Sequence, residues 1–197
     1  MIYNSILIVH PCNMFDFYGI YCYWGDIMKQ LKAYTIIGII FTIILGSLSH
    51  FFYEWSNNNF FVGLFAPINE STWEHMKLLF FPMLLYSMVM IPKLKENYPC
   101  IHPSYWAGIL VGTLLIPVIF YTYTGILGYH IMILDIGIFL LSVIIAFYSI
   151  YKLSLNCKAE NCILLLFTLV CILAICFIVF TYSPPGIPLF SNPMESK

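Results

Sequence analysis

The segment Asn69-Glu70-Ser71-Thr72-Trp73-Glu74-His75-Met76-Lys77 sets two carboxylates, an imidazole and an ammonium at the mouth of an apolar run that continues to Ile91. Ionisable groups beside hydrocarbon are costly, so by default they mark a functional site. Others gather at the same level: His50 and Glu54 at the end of an earlier run, His130 and Asp135 at the start of a later one. Imidazoles mixed with carboxylates are the donor set of zinc or another divalent ion. Ligands drawn from His50, Glu54, Glu74, His75 and His130 would hold such an ion and leave one position for water. Glu74, Asp135 and Lys77 are the groups able to move protons or balance charge beside it. The chemistry expected of such a set is metal-assisted attack of water on an ester or amide, in a lipid or a peptide, at the membrane surface. The spacing itself is not diagnostic, because His50-x-x-x-Glu54 and Glu74-His75 lack the His-Glu-x-x-His pattern of zinc hydrolases.

Helical geometry limits which of these groups can meet. At about 100° per residue, His50 and Glu54 share a face, and Glu70, Glu74 and Lys77 share a stripe with His75 about 100° round from Glu74. His130 and Asp135 point about 140° apart if both lie on one straight helix. Asp135 lies some 10 Å inside the mouth by helical rise and needs a partner, for which Lys77 is the candidate at similar depth. Ser71-Thr72-Trp73-Glu74 also reads as a capping box, in which Ser71 and Glu74 satisfy backbone donors at a helix start. On that reading Glu70 and Glu74 finish the helix and Lys77 snorkels or pairs with Glu74, but His50, Glu54 and Asp135 stay unexplained. Tyr121-Thr122-Tyr123-Thr124 reads as interface belt rather than site.

The elements that carry these residues are membrane helices. The chain is 61% hydrophobic and 9% charged, against about a quarter charged in soluble domains. A bilayer core asks for roughly 20 mainly apolar residues per helix, and five stretches qualify: 34–55, 71–91, 104–124, 128–151 and 161–182. The expected fold is therefore an all-α, polytopic transmembrane bundle. Lys29 and Lys32 precede the first span, Lys93 and Lys95 follow the second, and Lys152 and Lys158 separate the fourth from the fifth. All six fall on one side if the helices alternate, which predicts an inside N-terminus, an outside C-terminus and an outer-face polar cluster. Residues 1–27 have no lysine and no clean apolar run, and read as an upstream extension or an interfacial segment before a single transmembrane domain, 28–197. Cys100, Cys157 and Cys162 fall on the lysine side, where thiols are expected to stay reduced.

The stretch His50 to Pro82, above all Gly63-Leu64-Phe65-Ala66-Pro67-Ile68 followed by the Asn69-Glu70-Ser71-Thr72-Trp73-Glu74-His75 motif, resembles a family of small bacterial membrane proteins known only as a domain of unknown function. The likeness runs from residue 28 to about 182. It implies a multi-pass protein of the bacterial cytoplasmic membrane and implies nothing catalytic. At the level of the site alone there is an analogy with alkaline ceramidases, seven-helix hydrolases that hold zinc with histidines, an aspartate and a serine. The histidines those enzymes carry near the C-terminus have no counterpart here, since 161–182 contains none.

Composition excludes a soluble enzyme, and eight lysines without arginine at a net charge of −1 give no face for nucleic acid. Three readings follow. The first is a metal-dependent membrane hydrolase with zinc as the expected ion and the lipid bilayer as its setting. A carrier could use the same groups as a proton or cation relay. A scaffold subunit could use them to bind helices together.

Overall fold

Two glycines one turn apart, Gly108 and Gly112, let two membrane helices approach closely, and the bundle is organised around such contacts. The structure is a computed structural model and describes residues 14–191, with side chains described from Met28 onward. Its helices are α1 (Met14–Trp55), the single turn α2 (Phe60–Gly63), α3 (Thr72–Leu94), α4 (Ile101–Leu127), α5 (Met132–Asn156) and α6 (Ile163–Tyr182). Short 3-10 turns at Glu160–Cys162 and Pro188–Phe190 complete the described chain. No strand occurs among the described residues.

Among the described residues, five segments are long and apolar enough to cross a membrane: Met28–Trp55, Thr72–Leu94, Ile101–Leu127, Met132–Asn156 and Glu160–Tyr182. The all-α five-span architecture expected from the sequence is present, with shifted ends. The third span starts earlier than residue 104 because Pro103 sits in the first turn, where its missing N–H costs nothing. The fourth starts later than 128, because Gly128 takes the left-handed conformation (φ 79°) that closes α4. Backbone helix continues α1 through 14–27; residues 1–13 lie outside the described residues.

Helices α1, α3, α4 and α5 form a closed ring, each packed on the next, with α5 returning to α1. α3 is the most enclosed span, and Met76, Leu79, Phe80, Met83 and Met90 fill the centre. α6 leans on α4, is the most apolar span and the least enclosed, and presents hydrocarbon all round as a lipid-facing helix does. A Cβ on Gly112 would lie 2.6 Å from the Ala146 Cβ, and one on Gly108 would lie 2.9 Å from the Ala146 carbonyl oxygen. This Gly-x-x-x-Gly face is what seats α4 on α5. Pro82 removes the donor that Leu78 O would otherwise accept within α3, and Gly46 of α1 packs directly against that carbonyl. Tyr105 donates to Met83 O at 2.8 Å, a second tie between α4 and α3.

At the lysine-bearing end, Cys100 and Cys157 form a disulfide with their Cα atoms 5.3 Å apart. This corrects the expectation of reduced thiols for Cys100 and Cys157, whereas Cys162 is a free thiol. The bond is possible because Cys100 precedes α4 and Cys157 ends α5, and the two helices pack side by side along their whole length.

Candidate metal centre

The end of α1, the starts of α3 and α5 and the ends of α4 and α6 all lie at the end of the bundle opposite the disulfide. Three polar clusters form there. In the first, His50 Nε2 lies 3.6 Å and His75 Nε2 lies 3.3 Å from the same oxygen, Glu70 Oε2. The two imidazole rings are 5.5 Å apart, and one ligand atom from each residue falls within 4.8 Å of the others. Zinc bonds of about 2.0–2.2 Å give tetrahedral edges of about 3.3–3.6 Å, so the two His–Glu separations match such edges. The side chains are 32% (His50), 49% (Glu70) and 30% (His75) exposed, which leaves an open approach.

His75 is oriented from behind. Its Nδ1 lies 2.9 Å from Ser71 O, and a carbonyl can only accept, so Nδ1 carries a proton toward it. The Nε2 lone pair of a neutral ring then faces a carboxylate oxygen. That arrangement is repulsive unless a second proton or a cation lies between them. A backbone carbonyl holding one ring nitrogen while the other points at the ion is the usual support of a metal-bound histidine. The hydrogen bond to His75, with the neighbouring His50 adding to it, holds the Glu70 carboxyl below its ordinary value of 4.5 against the opposing effect of partial burial.

The second cluster is sealed. Lys77 Nζ donates to Glu74 Oε2 (2.8 Å), to Gly63 O (3.1 Å) and to Thr181 Oγ1 (2.5 Å), which satisfies all three donors of an ammonium. Glu74 Oε2 also accepts from the Ile68 backbone N–H at 3.0 Å. With side chains 0% and 2% exposed, Lys77 and Glu74 tie α3 to α6 and to the loop that carries Glu70. In the third cluster Tyr123 donates to Asp135 Oδ1, His130 Nδ1 lies 3.3 Å from Asp135 Oδ2, and the Ile131 N–H donates to the Tyr123 hydroxyl.

Several expectations are corrected by these placements. Lys77 pairs with Glu74, as the capping reading had it, and not with Asp135; both lie on one helix three residues apart, which needs no second helix to align. The capping box closes on one side only: Ser71 accepts from the Glu74 N–H at 3.3 Å, but the Ser71 N–H is taken by Asn69 Oδ1 at 2.9 Å, leaving the Glu74 carboxylate to Lys77. Of the residues expected as ligands, His50 and His75 converge, whereas exposed Glu54, buried Glu74 and Asp135-paired His130 lie outside the converging group. Glu70 takes their place. It precedes the N-cap Ser71, so it is free of the helical stripe that would align it with Glu74. His130 likewise precedes α5 and turns back onto Asp135, a pairing that one straight helix would forbid. Tyr123 is a partner of Asp135 and not only a member of the interface belt. The signal for it is the short link between α4 and α5, which must fold the end of one against the start of the other.

A family model described as a family of unknown function, DUF6512, matches residues 24–197. The chain belongs to that family. The match takes in all five spans and every residue of the three clusters. No curated protein and no solved structure matches the chain.

Proposed function

We propose that this integral membrane protein holds one divalent ion, zinc in the first instance, on His50, Glu70 and His75 and uses it for hydrolysis at the membrane surface. The observation that carries the reading is the convergence of two imidazole nitrogens on Glu70 Oε2 with His75 fixed from behind by Ser71 O. Three protein ligands leave a further coordination position, the arrangement of catalytic rather than structural sites. A bound ion supplies Lewis acidity and makes water acidic enough to act near neutral pH. His130, steered by Asp135 and Tyr123, supplies a group for proton transfer at the same end. Glu74 and Lys77 have no access to a substrate and serve as the frame that fixes the Glu70 loop. The lysine distribution supports an orientation with this centre at the outer face and the N-terminus inside.

Purified protein in maltoside detergent is expected to retain about one metal ion per chain by mass spectrometry, by the single three-ligand site. His75→Ala should lose it. Wild-type protein without metal after zinc addition at micromolar concentration overturns the reading. A second reading, a proton relay with His75 charged against Glu70, is favoured by the same 3.3 Å contact and would then stand alone.

A further inference from the structure

The two ends of the bundle differ in a way the spans do not require. At the disulfide end Lys32, Lys93, Lys95, Glu96, Lys152 and Lys158 are exposed, as expected of surfaces in water. At the triad end large apolar side chains stand exposed on the connections and helix ends. Trp55, Phe61, Ile126, Tyr129, Met132 and Ile133 are all exposed there, Phe61 at 72% and Ile133 at 79%. Among the described residues Glu54 and Glu70 are the exposed charged groups of this end. Asn57, Asn58, Asn59 and Asn69 are exposed there too but uncharged; the Asn57 and Asn58 N–H groups donate to Glu54 O and Tyr53 O, and Asn59 Oδ1 accepts from the Phe61 N–H. Large exposed apolar side chains flanking polar groups, continuous with lipid-facing helices, are the signature of chain immersed at the headgroup level.

The triad lies at this same end, on α1, on the loop that follows α2 and on α3. Among the described residues no lysine competes for an anion there, because Lys77, the lysine of this end, is sealed against Glu74. An ion held by two neutral imidazoles and one carboxylate keeps net positive charge, and hard anionic oxygens are what it would attract. In the headgroup layer the abundant hard anionic oxygen is phosphate.

We propose that the triad end is immersed in the headgroup layer and that the ligand completing its coordination is the phosphate of a membrane phospholipid, entering sideways from the bilayer. This rests on the divalent-ion reading of the triad and adds the class of its ligand. The exposed apolar side chains of this end position the site at phosphate depth, and the free coordination position accepts a phosphate oxygen. The bond made is a coordinate one, so nothing is oxidised or cleaved in binding.

The test uses the full chain loaded with manganese, in phospholipid nanodiscs and in phosphate-free maltoside micelles. Electron–nuclear double resonance should show phosphorus coupled to the bound manganese in nanodiscs, no such coupling in maltoside, and none on adding inorganic phosphate to the micelles at millimolar concentration. Nitroxides at Phe61→Cys and Ile133→Cys, on a background whose free cysteines are serine, should be more accessible to oxygen than to a water-soluble nickel chelate in nanodiscs. Manganese bound in both media without phosphorus coupling, or nitroxides open to the chelate, overturns this inference and leaves the metal reading standing. Coupling that appears equally with free phosphate in micelles overturns the lipid as source. Protein that takes up neither manganese nor zinc in either medium overturns both.

Discussion

His75 Nε2 lies 3.3 Å from Glu70 Oε2 while His75 Nδ1 is committed to Ser71 O at 2.9 Å. One imidazole is thus held at both nitrogens, by a carbonyl that can only accept and a carboxylate whose charge favours a cation beside it. Both the metal-bound and the metal-free protein should therefore respond to pH, each for its own reason.

Metal binding should weaken as the medium is acidified, because a histidine ligand must be neutral and protons compete for Nε2. The metal-free protein carries a separate dependence at lower pH. Glu70 has its folded value depressed, so its contribution to stability is present above the ordinary value of 4.5 and is lost as pH falls through the lower folded value. Thermal melting of metal-free protein between about pH 3 and 6 should show this loss in wild type and not in Glu70→Gln. A melting profile unchanged by Glu70→Gln contradicts the pairing.

Removing one member of the sealed pair should cost much more than removing both. Lys77→Met leaves the Glu74 carboxylate buried without its ammonium and is expected to destabilise by about 3–5 kcal/mol. The double variant Lys77→Met with Glu74→Leu should recover most of that loss, as apolar replacement of a buried pair often does. Equal losses in the single and double variants would mean that Lys77 acts through packing alone.

Close packing between α4 and α5 gives a contrast within one helix. Gly112→Leu must displace Ala146 and Ser142 O, and overpacking of this kind costs about 1–3 kcal/mol. A Cβ added at Gly125 would meet nothing within 4 Å, so Gly125→Ala should be neutral or stabilise by up to about 1 kcal/mol. Unfolding in mixed detergent and urea reads both.

The lysine-rich end and the disulfide make a joint prediction. In a variant retaining only Cys100, Cys157 and Cys162, exposed Cys162 should react with an impermeant maleimide only after the membrane is opened if the lysine-bearing end faces inward, as the proposed orientation has it. Cys100 and Cys157 should react only after reductant, and Cys100→Ser should expose Cys157. Labelling of Cys162 in intact cells contradicts the orientation.

The five spans are legible in the sequence because lipid demands long apolar runs; Pro99 and Pro103 punctuate them where α3 gives way to α4, and Gly128 where α4 gives way to α5. The level of the site is legible too, since the same cost confines charge to the mouths. Its membership is only half legible. Spacing names His50 and His75, but it treats Glu70 and His130 as helical, whereas each precedes a helix start and escapes the 100° rule. Taking Ser71 consistently as N-cap releases Glu70 from the stripe it would otherwise share with Glu74. The Lys77 partners Gly63 O and Thr181 depend on how α2 and α6 dock, which no local spacing encodes.

X-ray absorption at the zinc edge of the zinc-loaded full chain tests the metal centre most directly. The expected spectrum has about four nitrogen or oxygen neighbours at about 2.0–2.1 Å, outer-shell scattering from two imidazoles, and no sulfur. His50→Ala or His75→Ala should each remove one imidazole contribution and weaken binding. A zinc ion coordinated by thiolate, or by carboxylate and water without imidazole, would contradict a centre built on His50, Glu70 and His75.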